Sequence, residues 1–82
     1  MPTVLRLDGL RIVVYPNDHR PAHVHVIGDG CEAVFDLHPP AGPPVLRENF
    51  GFSIAAVRRI RAGLSANLPR LVNEWNRIHD DA

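Results

Sequence analysis

Apolar and polar residues alternate over the first part of the chain, in the pattern of half-buried β-strands. Residues 3–7 and 10–15 form two such runs, and between them Asp8 and Gly9 are typical of a two-residue type I′ turn. A turn of this length sets the register, because it determines which residues lie opposite each other. The predicted pairs are Leu7 with Leu10, Leu5 with Ile12, Thr3 with Val14, Arg6 with Arg11 and Val4 with Val13.

The same pattern recurs farther along the chain. Residues 23–27 and 31–37 form a second pair of strands around a turn at Asp29 and Gly30. The register that follows from this turn gives one apolar face and one polar face. The predicted pairs are Val24 with Phe35 and Val26 with Ala33 on the apolar face, and His23 with Asp36, His25 with Val34 and Ile27 with Glu32 on the other.

Helical spacing of apolar residues replaces the alternation in the last third of the chain. A proline-rich loop at 38–44 comes first, followed by a short edge strand or extended arm at 45–48, and Ser53 is a natural N-cap. Asn67 and Pro69 mark the end of one helix and the start of the next. The apolar stripes are Ile54, Val57, Ile60 and Leu64 in the first helix and Leu68, Leu71, Val72, Trp75 and Ile78 in the second.

The order of the elements, strands first and helices afterwards, predicts an α+β fold. We expect a single domain over residues 1–82, in which an antiparallel sheet of about four strands is followed by two C-terminal helices packed on one face. The predicted core consists of Leu5, Leu7, Leu10, Ile12, Val24, Val26, Phe35, Val57, Ile60, Leu64, Leu71 and Trp75.

Composition and charge narrow the class of protein. The chain is 45% hydrophobic and 22% charged, with a formal net charge of zero. These values exclude a disordered chain and disfavour a strongly electrostatic nucleic-acid binder, while zero net charge is compatible with a homodimer. The sequence has no signal-peptide pattern and no apolar run that approaches about 20 residues. We therefore expect a cytoplasmic protein that does not engage a membrane.

The densest polar segment lies at 17–26 and contains three of the five histidines. His23 and His25 are two residues apart on a predicted strand and therefore point to the same side, with Asp36 across from His23. We predict that the Asp36 carboxylate hydrogen-bonds the His23 ring and orients it for acid–base chemistry. His23, His25 and Asp36 are thus the candidate catalytic residues. The same three residues are also a known type of metal-ligand set, an alternative that stays open, although we expect no tightly bound metal and no other cofactor.

Arginines supply a second candidate site. All nine basic residues are arginines, and Arg6 is predicted directly opposite Arg11. Like charges in this position repel each other unless an anion neutralises them. Arginine is well suited to phosphates and carboxylates, so we predict an anion-binding surface on the same face as the histidines. The candidate anion-binding residues are Arg6, Arg11, Tyr15 and Arg20.

Six short segments together resemble one known family. The most specific is NDHRPAHVHV at 17–26, and the others are MPTV at 1–4, EAVFD at 32–36, LREN at 46–49, GFS at 51–53 and EWN at 74–76. They are similar to the bacterial family named domain of unknown function 4160. The chain departs from the family pattern at Phe50, where members usually have an arginine, and at 38–44, where they often have a short acidic or glycine-containing turn. The resemblance implies no established activity. It implies a gene that lies beside that of a second small protein, in the style of a toxin–antitoxin pair.

The residues and the resemblance together leave three functional hypotheses. The leading one is a small protein of a toxin–antitoxin-like or mobile-element module, which acts in complex with a small protein partner as a metal-independent ribonuclease. In this hypothesis His23 and His25 serve as acid and base, while Arg6 and Arg11 hold the phosphate. The second hypothesis is a non-enzymatic module that binds a protein, RNA or DNA. The third is a metal-binding protein that uses His23, His25 and Asp36.

Overall fold

The computed structural model describes residues 3–79, which form a five-stranded sheet and two helices. The elements are β1 Thr3–Leu7, β2 Leu10–Val13, β3 His23–Gly28, β4 Cys31–Asp36, β5 Val45–Phe50, α1 Ile54–Ala66 and α2 Leu68–His79. All neighbouring strands are antiparallel and follow one another in chain order across the sheet. The predicted α+β class is confirmed. The strand count is five instead of about four, because the short extended segment predicted at 45–48 is a complete edge strand.

The second hairpin, β3 with β4, has the register predicted from its turn. Every predicted pair is present, beginning with His23 opposite Asp36. Asp29 and Gly30 have positive φ angles of 53° and 71°, as a type I′ turn requires. The alternation of apolar and polar residues and the turn therefore specify the same register.

The first hairpin, β1 with β2, follows its predicted register only near the turn. Farther out, Thr3 lies opposite Val13 instead of Val14, and a β-bulge separates this pair from the others. The predictions that Thr3 pairs with Val14 and Val4 with Val13 are therefore wrong. Val4 is the extra residue of the bulge and belongs to the buried core, because a bulge redirects side chains that strict alternation would send to the other face.

The core lies between one face of the sheet and the two helices. All of the predicted core residues belong to the buried cluster or pack against it. Ile12 and Phe35 from the sheet and Leu64, Leu71 and Trp75 from the helices are fully buried. Burial of these large side chains supplies most of the stability of so small a domain, since apolar area removed from water is the dominant favourable contribution to folding.

The helix boundaries agree with the signals in the sequence. The Oγ of Ser53 accepts a hydrogen bond from the amide nitrogen of Ala56 at 3.1 Å, so Ser53 caps α1 as predicted. At the other end, Asn67 interrupts the helical path, and its side-chain Nδ2 donates to the carbonyl oxygen of Gly63 at 2.8 Å. Within residues 3–79, neither helix is long and apolar enough to cross a membrane.

We call the sheet face opposite the helices the open face. The cross-strand register places polar and apolar side chains on it in three adjacent rows. The open face consists of Arg6, Arg11, Ile27, Glu32 and Phe50 in the first row, Thr3, Val13, His25, Val34 and Glu48 in the second, and His23, Asp36 and Val45 in the third.

Candidate functional site

Asp18, His23 and His25 form a polar cluster at one end of the open face. The histidines are two residues apart on β3, so their side chains point to the same side of the strand. The Nε2 atom of His25 lies 2.9 Å from Oδ2 of Asp18, and the Nε2 atom of His23 lies 3.2 Å from the same oxygen. One carboxylate oxygen therefore joins both imidazole rings.

The loop between β2 and β3 positions the carboxylate of this cluster. The amide nitrogen of Asp18 donates a hydrogen bond to the carbonyl oxygen of Tyr15 at 3.0 Å, which closes a four-residue turn. Pro16 occupies the second position of the turn, where the restricted φ angle of proline is favourable. The turn folds the loop back, and the side chain of Asp18 meets β3.

The second nitrogen of each ring also has a partner. Nδ1 of His23 donates to the carbonyl oxygen of Pro21 at 2.8 Å, and Nδ1 of His25 lies 3.3 Å from Oε2 of Glu32. A carbonyl oxygen can only accept, so Nδ1 of His23 carries a proton. The Nδ1 contacts therefore fix the orientation of both rings, and the Nε2 atoms of both rings contact Asp18.

Aromatic side chains surround the cluster. The Tyr15 ring contacts His25 edge-on with ring centroids 4.8 Å apart, and the Trp75 ring lies 5.2 Å from that of His23. The ring of His79 stacks on that of Trp75, with centroids 3.7 Å apart. His23 is only 5% exposed, whereas the side chain of His25 is 15% exposed. Of the two histidines, His25 is thus the more accessible to a ligand.

The predicted contact between His23 and Asp36 is wrong, although their backbone register is as predicted. The ring of His23 contacts Asp18 and Pro21, and the carboxylate of Asp36 forms an ion pair with Arg47 of β5. Register fixes where the Cβ atoms lie, but side-chain rotamers and competing partners decide which polar atoms meet. Asp36 therefore lies outside the cluster, and Asp18 takes the place expected for it.

The predicted anion-binding residues divide into two groups. Arg6 and Arg11 are directly opposite each other, as predicted, and neither forms an ion pair with any residue between 3 and 79. Arg11 lies two positions before Val13, the cross-strand partner of His25, so its backbone is about 7 Å along the sheet from the histidine row. Tyr15 packs against His25 instead of the arginines, and Arg20 is exposed in the loop.

Asp18 is a candidate functional residue that the sequence pattern did not predict, although it lies inside the polar segment at 17–26. The signal for it was the turn at 15–18, in which a proline followed by an asparagine reverses the chain. No comparable local signal existed for Trp75, because an aromatic residue on an apolar helix stripe is predicted as core. Only the packing of α2 places its ring against His23.

The cluster offers two nitrogen donors and one oxygen donor at close range. Asp18, His23 and His25 each contribute one atom, and these atoms lie within 4.8 Å of one another. Such a set can hold protons between the rings and the carboxylate or can surround a cation. The open face beside it offers arginines that form no ion pair within residues 3–79, together with the exposed apolar side chains of Val45 and Phe50. Such groups are suited to a macromolecular partner.

Comparison with known proteins shows a family and no characterised relative. No curated protein and no solved structure matches the chain significantly. The bacterial origin and the paired gene implied by the resemblance therefore stay predictions. The family model described as Domain of unknown function (DUF4160) matches residues 9–76, which cover most of the chain and the whole polar cluster, and the chain therefore belongs to this family.

Proposed function

We propose that this protein is a binding module that works in complex with a small protein partner, as one member of a toxin–antitoxin-like pair. The observation that carries the proposal is the exposed edge strand β5. In residues 3–79, β5 has β4 on one side and no strand on the other. An edge strand of six residues presents free backbone donors and acceptors to which a strand of another protein can pair.

Large apolar side chains accompany this edge. Val45 is 45% exposed and Phe50 is 60% exposed, at the two ends of β5. Phe50 belongs to the same row of the open face as Ile27 and Arg11. Aromatic residues and arginines are enriched where proteins bind each other, so this row supports binding of a protein more strongly than binding of RNA or DNA.

Charge indicates the chemistry of the partner. Arg6 and Arg11 repel each other across β1 and β2 and have no acidic partner between residues 3 and 79. Carboxylates on a partner would remove this repulsion. The partner that fits is therefore a small protein that adds a strand beside β5 and also extends across the open face, so that its acidic side chains reach the arginines on β1 and β2 at the opposite edge.

The test is co-expression with the small protein encoded beside this gene, followed by size-exclusion chromatography and a binding titration. Phe50→Asp is expected to weaken the complex about 30-fold or more, as loss of a central interface residue does. The matched control is Ile54→Asp, because Ile54 is 75% exposed and begins α1, outside the open face. Equal effects of the two variants, or no complex with the wild-type chain, would contradict the proposal.

A metal-independent ribonuclease is the second candidate function, and the environment of His25 favours it. This histidine reaches the surface between the carboxylates of Asp18 and Glu32, with Arg11 nearby on the open face. In such an enzyme His25 would take the proton from a ribose 2′-hydroxyl while Arg6 and Arg11 hold the phosphate. The 2′-oxygen would attack the phosphorus and expel the ribose 5′-oxygen, which would take its proton from water. His23 is too buried to reach the leaving oxygen while its ring is held by Asp18.

Induced expression separates the two candidates. A ribonuclease arrests growth and cleaves RNA, and the purified chain should cleave RNA in the presence of a chelator. His25→Ala should abolish this cleavage, whereas His19→Ala, which changes an exposed histidine of the same loop, should leave it intact. Normal growth and intact RNA would eliminate the ribonuclease and leave the binding module.

A further inference from the structure

The cluster of Asp18, His23 and His25 has the donor atoms and the supporting contacts of a metal site. We propose that these three residues bind one divalent transition-metal ion, and that their chemistry favours Zn²⁺. The proposal is independent of the protein partner and of the edge strand β5, and it replaces the expectation from the sequence that no metal is tightly bound. A metal on His25 would exclude this residue as the free base of a metal-independent ribonuclease. It departs from the metal set considered from the sequence alone, which contained the same histidines with Asp36, a carboxylate that pairs with Arg47.

The distances between donor atoms suit a shared ion. Zinc lies about 2.0–2.2 Å from histidine nitrogen and carboxylate oxygen, so neighbouring ligand atoms of a tetrahedral site are roughly 3.3–3.6 Å apart. The two contacts of Asp18 Oδ2, 3.2 Å to Nε2 of His23 and 2.9 Å to Nε2 of His25, are somewhat shorter, so the carboxylate oxygen would move slightly away from the rings when the ion binds. All three donor atoms lie within 4.8 Å of one another, so only a small movement of the side chains is needed for all three to contact one ion.

The protonation pattern of His23 provides an independent argument. Its Nδ1 donates to the carbonyl oxygen of Pro21, so the Nε2 of a neutral ring carries a lone pair. That lone pair points at a carboxylate oxygen, which is also an acceptor. Two acceptors in contact are unfavourable in a site this buried unless a positive charge lies between them. In the metal-free chain a proton shared between these atoms would supply that charge, and a metal ion would supply it with only a slight change in the position of the carboxylate.

His25 shows the same arrangement. Its Nδ1 faces Oε2 of Glu32 while its Nε2 faces Asp18. Histidines that bind metals usually donate their other ring N–H to a carboxylate or a backbone carbonyl, because this fixes the tautomer and the ring orientation. Here one histidine has the carbonyl and the other has the carboxylate, so both supporting contacts of a metal site are present.

The surroundings hold the rings in place. Tyr15 packs edge-on against His25, and Trp75 packs against His23. Ligands whose side chains are locked by packing bind an ion without a large loss of conformational freedom. Bound metal would also tie the loop that contains Asp18 to β3, and any ligand that binds only the folded chain stabilises it.

The donor set indicates which ion is bound. Imidazole nitrogen suits zinc, copper, iron and nickel better than magnesium or calcium, which prefer oxygen ligands. Two histidines and one carboxylate leave a fourth position open for water or for a group of another molecule. Zn²⁺ with two neutral histidines and one aspartate also leaves a net positive charge of one, which suits an anionic fourth ligand such as hydroxide.

The experiment uses the full chain without an affinity tag, dialysed against a chelator and titrated calorimetrically with ZnCl₂ alone. One ion per chain is expected. Asp18→Asn and His25→Ala should each weaken binding by about a hundredfold or more, since they remove a ligand, whereas Glu32→Ala should weaken it by ~10-fold, as changes to supporting residues do. Asp36→Asn and His19→Ala are the matched controls and should bind like the wild-type chain.

Two further measurements keep the test decisive when a variant folds poorly. Co²⁺ added to the wild-type chain should give visible absorption bands that Zn²⁺ displaces, and Zn²⁺ should raise the melting temperature of the wild-type chain and of His19→Ala. Absence of stoichiometric binding to the wild-type chain would overturn the proposal. Equal loss of binding in Asp18→Asn and Asp36→Asn would overturn it as well, and neither result would affect the test with Phe50→Asp.

Discussion

Ile12, Val24 and Phe35 project from the sheet toward the helices and are fully buried, whereas Arg11, His25 and Glu32 on the same strands project to the open face. On the helix-covered face, hydrophobicity and position along the strand were enough to predict which residues are buried. On the open face, the position of a residue along its strand predicted its cross-strand neighbours. It did not predict which side chain forms the hydrogen bond or ion pair, because several acidic and basic groups compete for each contact. The two faces therefore differ in how far a local pattern determines the structure.

The largest expected effect concerns Trp75, which connects the two faces. It is fully buried in the core, and its ring also lies 5.2 Å from His23. Trp75→Ala should lower the free energy of unfolding by ~3–5 kcal/mol, measured by urea denaturation, because it leaves a large cavity. Trp75→Phe is the control, since it keeps an aromatic ring and removes an indole N–H that lacks a hydrogen-bond partner in residues 3–79. Similar losses in both variants would show that the indole itself, and not the filled volume, supports the structure.

A second prediction compares two aspartates of the polar site. In the metal-free chain, Asp18→Asn should lower the free energy of unfolding by about 1–3 kcal/mol, because His23 and His25 share this carboxylate in a largely buried place. Asp36→Asn should cost about 0–1 kcal/mol, since its partner Arg47 is more exposed. Both values come from chemical denaturation in the presence of a chelator. If Asp36→Asn were the more harmful change, the assignment of Asp18 to the cluster would be wrong.

The smallest predicted effect has the opposite sign. Arg6→Thr should raise the stability of the isolated chain by about 0.2–1 kcal/mol, because it removes a like-charge pair across β1 and β2. The gain should shrink as salt is added, since both charges are near the surface and are screened. Arg58→Thr changes an exposed arginine of α1 and serves as the control. A loss of stability in Arg6→Thr that is independent of salt would show that Arg6 has a partner within the chain.

Much of the fold was predictable because the local signals agreed with one another. The turn at Asp29 and Gly30 and the alternation on either side of it specify the same register, and the structure has that register. The first hairpin was predicted less well, because a bulge such as that at Val4 leaves no mark in a pattern of alternating residues. The start of α1 at Ser53 and its end at Asn67 were predicted correctly, since caps act on backbone groups only a few residues away.

The candidate site was predictable only in part. The same-side placement of His23 and His25 follows from the two-residue period of a strand and needed no tertiary information. The histidines contact Asp18 and not Asp36 for two reasons. The turn at 15–18 folds the loop over β3, and the carboxylate of Asp36 forms an ion pair with Arg47. These contacts involve a loop or residues that are far apart along the chain. The periodicity of apolar and polar residues therefore cannot predict them.

By itself, the sequence determined the order of the elements, the face on which the strand residues lie outside the bulge at Val4, and the pairing of β3 with β4. These properties follow from backbone geometry, which repeats every two residues in a strand and every 3.6 residues in a helix. Tertiary structure alone decided that Nε2 of both histidines meets one oxygen of Asp18 and that Trp75 lies against His23. Side-chain partners are chosen by competition among all the groups that folding brings together, and this competition takes place only in three dimensions.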